Sequence, residues 1–475
     1  MATPGDTARL THHLTSYSLG DDWPRVPPDH PLVLRDFAPL DRPTFPAPCK
    51  AYAQELPTVA LPREWPAGAR SATAVLAGHA GEPAELDLAA LARLLHLSAG
   101  VVRTTERPDG RRYLFRAAGS AGGRFPLELY VSARGVGGLP DGVHWYDPVG
   151  HALRQVGPPA DGDATAVVVT GVPWRTAWQY AERGFRHIYW DGGTMLAQLL
   201  AVADDSGLQP RLFTRFPDAE VTRLAGADGT HEFAIAAVAL GAGEPALRPT
   251  GEAAAGAVDR APVEFPLMTH AQRAGDTAAL GAPWPAPPRL DAGPPPSAGL
   301  EEVILRRGST RLMDATRTLP RATLTFSLAA SLRGVRAPHF VAVHGVDDTE
   351  PGLYRWPDLD DPRRCGDLRE ELFRVCWEQE LGRDAAFVVI GATDLDALED
   401  DRAYRERQLE AGIVEGRLHL AAYALGAGAT GMTFLDSEID GLLGEPLAAL
   451  LFTCVGVPTY RSRRGGRPGA PIAVA

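Results

Sequence analysis

The sequence predicts an α+β protein built from two similar tandem domains that pair within one chain as a pseudo-dimer. Three observations carry that expectation. A chain of 475 residues exceeds what one ordinary core organises. One order of helix and strand patterns occurs twice, and a Pro/Gly/Ala-rich stretch separates the two occurrences.

Residues 1–69, rich in proline and aromatics, read as an extended arm with little regular structure. The first domain spans 70–245. AELDLAALARLLHLSAGVV carries apolar residues at helical spacing, and LELYVSA and ATAVVVTGV are strand-like apolar runs. GTMLAQLLAVADDSG reads as a second amphipathic helix stopped by glycine, and HEFAIAAVALG closes the unit as a buried strand. Residues 246–298 read as a linker, and 299–475 form the second domain. There PHFVAVHGVDDTEPGLYRWPD mirrors PLELYVSARGVGGLPDGVHWYDP, and DAAFVVIGATD mirrors ATAVVVTGV. RLHLAAYALGAGATGMTFLDSEIDGLLGE mirrors MLAQLLAVADDSGLQPRLFTRFPDAEVTRLAG, and PLAALLFTCVGVP mirrors FAIAAVALGAG. Duplicated units of this kind pair about a pseudo-two-fold axis.

Composition narrows the function. No apolar run reaches the ~18 residues that span a bilayer, and the N-terminus lacks the apolar stretch of a secretory signal. Net charge is −12, so no nucleic-acid footprint is expected. Four scattered cysteines without a CxxC pair, and histidines without HExxH spacing, give no metal site and fit a reducing cytoplasm. No GxGxxG follows a strand, so no dinucleotide-binding fold is indicated. Lys50 is the one lysine, so any lysine-based chemistry depends on it.

Five segments point further: GSAGGRFPLELYV (119–131), GVHWYDPVGHALRQV (142–156), WQYAERGFRHIYWDGGT (178–194), ILRRGSTR (304–311) and GAGATGMTFLDSEIDGLLGEP (426–446). In this order they resemble the nitroreductase superfamily, and within it the SagB/ThcOx-type dehydrogenases. The resemblance implies FMN held between two subunits, here two nitroreductase-like domains of mixed sheet flanked by helices. It assigns the phosphate to Arg307, Ser309 and Arg311 and the flavin edge to the loop Thr430, Gly431 and Met432. The basic tail at Arg461 and Arg463 adds a further clamp, and the lid loop Ser120, Gly122 and Gly123 comes from the opposite domain. The first domain reads AGHAGEP where the Arg-rich stretch falls, and the second lacks the SAGG loop, so the expectation is one FMN per chain.

The chemistry suits these residue types. Guanidinium forks bind phosphate bidentately, and glycines let backbone amides approach a flavin edge. The resemblance also places a Lys-Tyr proton-removing pair at Gln179-Tyr180. The tyrosine persists and the lysine is gone; glutamine is no base, and a phenol with pKa near ~10 needs a cationic neighbour such as Arg183 or Arg186. Lys50 substitutes only if the arm folds over the site. Plainer readings stand beside these: RRGSTR as a solvated helix end, GAGATGM as a helix C-cap, Tyr180 as a packed core residue, the tail arginines as surface charge, and Trp145, Tyr146, Tyr354 and Trp356 as packing. The implied activity is oxidation of azolines to azoles in a ribosomal peptide, beside a cyclodehydratase or leader-binding partner. The alternatives are an NAD(P)H-driven nitro- or quinone-type reductase and a degenerate flavin-binding scaffold. The substrate class is a peptide or small molecule.

Overall fold

The computed structural model describes residues 4–18, 30–34, 37–41, 44–107 and 110–474. In the first half, strands run β1 (Thr58–Ala60), β2 (Val101–Glu106), β3 (Arg112–Arg116), β4 (Leu127–Ala133) and β5 (Gly142–Asp147), then β6 (Ala152–Gly157), β7 (Ala166–Gly171), β8 (Pro210–Phe213) and β9 (Phe233–Leu240). Its helices are α1 (Asp6–Leu14), α2 (Ala72–Leu76), α3 (Leu88–Ala99), α4 (Pro173–Tyr180), α5 (Gly184–Asp205) and α6 (Asp218–Leu224). After α7 (Pro266–Ala274) the second half carries α8 (Leu300–Arg306), α9 (Arg321–Leu332), α10 (Arg369–Val375), α11 (Glu380–Asp384), α12 (Asp401–Ala424) and α13 (Ile439–Leu443). Its strands are β10 (His339–Val343), β11 (Gly352–Arg355), β12 (Arg364–Cys365), β13 (Phe387–Thr393), β14 (Gly428–Met432), β15 (Ala448–Gly456) and β16 (Ile472–Ala473).

The first sheet has the order β1-β6-β5-β4-β7-β9-β8, the second β12-β11-β10-β13-β15-β14. Without β1 the two orders correspond strand for strand. Among the described strands every pairing in both large sheets is antiparallel, and the mixed sheet is the small third one, where β2 pairs β16 in parallel and β3 antiparallel. Sequence pattern identifies a buried strand but not its direction.

Two expectations change. The arm contains helix α1, and β1 adds to the edge of the first sheet beside β6. Its residues 19–29 lie outside the described residues. The linker contains α7, which buries Leu267 and Met268 and is preceded by a buried Phe265 packed edge-on against Phe37. Proline-rich composition masks such anchors, because a few apolar side chains suffice to pin a segment.

Helix α5 starts at Gly184, earlier than its sequence pattern suggests, and is buried almost throughout. The cause is α12, which crosses it at backbone contact. A Cβ on Gly193 would overlap the Leu409 carbonyl and lie 2.5 Å from the Ile413 nitrogen; one on Gly412 would overlap the Trp190 carbonyl. The two contacts are reciprocal, so Gly193 and Gly412 are counterparts in the two halves. Counting along both helices from these glycines pairs Arg183 and Arg186 with Arg402 and Arg405. The ion pairs agree: Asp436, after β14, takes Arg183 and Arg186 at 2.6 and 2.7 Å. Asp218, after β8, takes Arg402 and Arg405 at 2.6 and 3.2 Å. Each half locks onto the other through the same buried Arg-Arg-Asp arrangement.

Candidate functional site

The stretch after α8 turns away from the helix at Arg307 and runs along the free edge of β14, where the Thr310 amide donates to the Ala429 carbonyl at 2.9 Å. That contact brings the Arg307–Arg311 segment beside Thr430, Gly431 and Met432. These three belong to an edge strand paired with β15, so the expected loop is corrected to a strand. Arg307 crosses to the first half, donating through Nε and Nη2 to the Ala117 carbonyl at 2.9 and 2.7 Å. Its Nη1 lies 3.4 Å from His419 Nδ1. Burial, then Arg103, lowers its pKa to about 10, so the guanidinium stays charged at neutral pH. It makes no ion pair with a carboxylate among the described residues. A buried cation of this kind is costly unless an anion meets it.

The lid loop approaches from the first half. A Cβ on Gly119 would sit 3.4 Å from Arg307 Nη1. Ser120 Oγ donates to Asp191 Oδ2 at 2.5 Å, the Ala121 amide donates to Asp191 Oδ1 at 2.9 Å, and the Phe125 amide donates to Ser120 Oγ at 2.7 Å. Gly122 takes φ 56°, a left-handed turn that lets the loop fold back over Gln179. Asp191 lies on α5 and is buried; burial holds its carboxyl well above the usual range, against the loop hydrogen bonds. Thr194, one turn on, donates to Glu415 Oε2 of α12 at 3.2 Å, and Glu415 packs under Gly431. Asp191, Thr194, Glu415 and His419 escaped the sequence reading. The available signal was polar side chains on helix faces that are otherwise apolar and small.

Gln179 and Tyr180 end α4 beside the same loop. Gln179 Nε2 donates to the Tyr180 hydroxyl at 3.1 Å. The Tyr180 ring stacks on His187 with centroids 4.0 Å apart and planes 11° off parallel. Burial, then Asp191, raises the Tyr180 pKa, while Arg124 and Arg311 act in the opposite direction. The phenol therefore keeps its proton at neutral pH. Burial lowers His187 to about 3, leaving a neutral ring whose Nδ1–H donates to the Arg183 carbonyl at 3.0 Å.

Two expectations, on Lys50 and on Arg183 and Arg186, are corrected. Lys50 does not reach this site: its Nζ donates to Glu232 Oε2 at 2.5 Å and to the Tyr130 hydroxyl at 2.8 Å within a buried cluster. At Lys50 the arm is part of that buried cluster, while its residues Leu40 and Phe45 lie against Trp178 of α4. Arg183 and Arg186 are bound to Asp436 and are not available to activate Tyr180. Arg463 turns to the Ala473 carbonyl at 3.3 Å, and Arg461 is exposed. Two tail side chains lie beside the Arg307–Arg311 segment: Ser462, whose Oγ lies 3.1 Å from the Tyr423 hydroxyl, and Tyr460, whose hydroxyl accepts from the Arg311 amide at 2.9 Å. Ser309 is half-buried and Arg311 exposed in the same segment.

The counterpart position in the other half differs in kind. The turn after α2 is Ala77-Gly78, and α9 passes to β10 through a short turn, 333–338, with no lid loop. Residues of the linker fill the space between them: the Leu290 amide donates to the Ala77 carbonyl at 2.9 Å, and Arg333 Nη1 donates to the Pro288 carbonyl at 2.9 Å. Helix α5 presents Leu196 and Leu200 where α12 presents Glu415 and His419.

No family model matches the chain. A curated protein of Methanocaldococcus jannaschii assigned as a nitroreductase is 27% identical over 154 residues, which is 29% of this chain and 74% of that protein. The solved structure of a protein assigned as a nitroreductase from Anabaena variabilis superposes with a TM-score of 0.72 at 26% identity. It covers 95% of this chain and 99% of its own. These likenesses support a place for the chain in the nitroreductase superfamily of flavin oxidoreductases.

Proposed function

We propose that the chain is an FMN-dependent oxidoreductase in which two tandem domains of one chain build a single composite flavin site. The observation that carries this reading is the buried, carboxylate-free Arg307 guanidinium lying against the lid loop of the other half. The residues present fit the cofactor's donor requirements. Arg307, Ser309 and Arg311 offer two guanidinium forks and a hydroxyl for a phosphate. Gly431, on an edge strand, offers a backbone with no side chain to block a flat ring. Ser120, Gly122 and Gly123 cover it from the first half. Bound FMN would supply hydride acceptance and donation at this position.

The proton side of the chemistry falls to Tyr180. A phenol that keeps its proton, held by Gln179 and stacked on a neutral His187, serves as a proton donor. That favours the reductive direction, with a reduced nicotinamide as electron source. The second reading, dehydrogenation of a peptide azoline beside a cyclodehydratase or leader-binding partner, is favoured by a cavity of about 790 Å³ that reaches Gln179. It needs a base, and the candidates fail: Lys50 lies elsewhere and Gln179 does not titrate. The deciding experiment is the visible spectrum of the purified protein with its FMN-to-protein ratio. A ratio near one supports the composite site, two would mean the counterpart pocket also binds, and a colourless protein that refuses FMN sinks the reading. Bleaching by NAD(P)H alone selects the reductase; bleaching by an azoline peptide selects the dehydrogenase.

A further inference from the structure

Beside the lid loop, and lined by its Gly122 and Gly123, lies the cavity of about 790 Å³, within the range that encloses a drug-sized molecule or a short peptide segment. Its walls combine two chemistries. Phe45, Tyr113 and Trp178 form an aromatic floor, and Arg107, Arg112 and Arg124 stand over or beside it. Arg124 lies 4.8, 5.4 and 5.1 Å from the centroids of Phe45, Tyr113 and Trp178, and Arg107 lies 4.7 Å from Tyr113. Cation–π contact holds the guanidiniums of Arg124 and Arg107 against these rings. Arg124 also donates through Nε to the Gly122 carbonyl at 3.2 Å, which ties it to the lid loop.

The cavity has no acidic wall. Among the described residues, no aspartate or glutamate lines it, and Arg107, Arg112 and Arg124 form no ion pair with a carboxylate. In a chain of net charge −12, a cavity lined by Arg107, Arg112 and Arg124 with no carboxylate among its described lining residues is a local concentration of positive charge. It is also continuous with the proposed reaction site. Gln179 lines the cavity and donates to the Tyr180 hydroxyl, and Gly122 and Gly123 form part of the wall.

We infer that this cavity binds a carboxylate-bearing substrate with an aromatic or apolar body, its acid group on the arginines and its body on the aromatic floor. The inference deepens the proposed oxidoreductase reading and rests on it for the word substrate. The same chemistry has two sources, a free aromatic acid and an acidic segment of a peptide.

The test is calorimetric titration of the full-length protein with four probes. These are cinnamate, cinnamamide, a hexapeptide alternating glutamate and phenylalanine, and the same peptide with glutamine for glutamate. At least one acid should bind ten-fold or more tightly than its amide, with an affinity that falls as salt rises. Arg124→Gln should abolish that preference, and Arg112→Gln, at an exposed strand position, should reduce it without a change in melting temperature. Whether cinnamate or the peptide binds identifies the source. Equal binding of acid and amide, no binding of either acid, or an Arg124→Gln affinity within two-fold of the parent overturns the inference. FMN content and bleaching, read on the same samples, separate the two readings. A yellow, reducible protein that ignores acids sinks only this inference; a colourless one that binds them sinks only the oxidoreductase reading.

Discussion

Replacing Asp436 with asparagine removes one negative charge and keeps the side-chain shape, which makes it the sharpest probe of how the halves are held. The carboxylate is 7% exposed and takes Arg183 and Arg186 at 2.6 and 2.7 Å, besides the Tyr17 amide at 2.8 Å. Both guanidiniums are buried, so Asp436→Asn strands two cations at once. Breaking a buried pair by removing one partner costs about 3–5 kcal/mol. The Thr15 and His12 carbonyls, which accept from Arg183 and Arg186 at 2.7 and 2.6 Å, remain as neutral partners and keep the cost within that range. The assay is urea denaturation followed by circular dichroism and tryptophan emission. Asp360→Asn, at the exposed pair with Arg321, is the control and should cost under ~1 kcal/mol. Burial raises the Asp436 pKa, but Arg183 and Arg186 outweigh it and hold the carboxyl well below the usual range. A depressed folded pKa contributes stability above the unfolded value of ~4 and loses it as pH falls further. The parent and Asp436→Asn should therefore converge in strongly acid solution. A loss at neutral pH no larger than that of Asp360→Asn would refute the inter-half lock.

Gly412→Ala drives a Cβ into the Trp190 backbone; overpacking of about 1–3 kcal/mol or more should exceed the ~1 kcal/mol gained in helix propensity. Urea midpoint and FMN ratio should fall together. Tyr180→Phe keeps the stack on His187 and removes the proton, so turnover should drop about 10²-fold or more with FMN content unchanged, measured by steady-state kinetics beside the visible spectrum. Lys50→Met leaves Glu232 buried without its cation; it should cost about 3–5 kcal/mol in denaturation and leave flavin reduction per folded molecule unaltered. A slowed reduction would return Lys50 to the site.

Much of the fold was legible because it is local. Ala166–Gly171 and Phe387–Thr393 are uninterrupted apolar strands, and Leu88–Ala99 starts behind Asp87, whose side chain accepts from the Ala90 amide at 2.7 Å. The matching strand orders follow the repeat read from sequence. What failed depends on distant partners. Lys50 looks like a lone catalytic lysine until its chain folds beside Glu232, and neither residue's neighbours in sequence announce the pairing. The same holds for Arg183 and Arg186, which suit activation of Tyr180 by proximity in sequence yet are consumed by Asp436. In the site, Arg307 and the Ser120 loop were legible as motifs, whereas Asp191 and Glu415 act only through groups on other elements.

The two halves depart from symmetry in a way that packing alone does not require. The reciprocal glycine contacts and both Arg-Arg-Asp locks are kept, so the interface needs both copies intact. The pockets diverge. One has Arg307 beside Glu415, His419 and Tyr423; in the other, Leu196, Leu200 and Asp204 hold the corresponding helix positions, and Gly78 lies against Arg333 and Arg289. Burial raises Asp204 to about 6, against Arg333 and Arg417, so it is largely ionised at neutral pH. The guanidiniums beside Asp204, those of Arg333 and Arg417, come from the second half and donate to the backbone carbonyls of Pro288, Ser331 and Arg333. Pro287 to Leu290 occupy that space instead, bonded to Ala77 and Arg333. A linker that fills this space leaves no room for a cofactor beside it, so the proposed composite site carries the expectation of one FMN per chain.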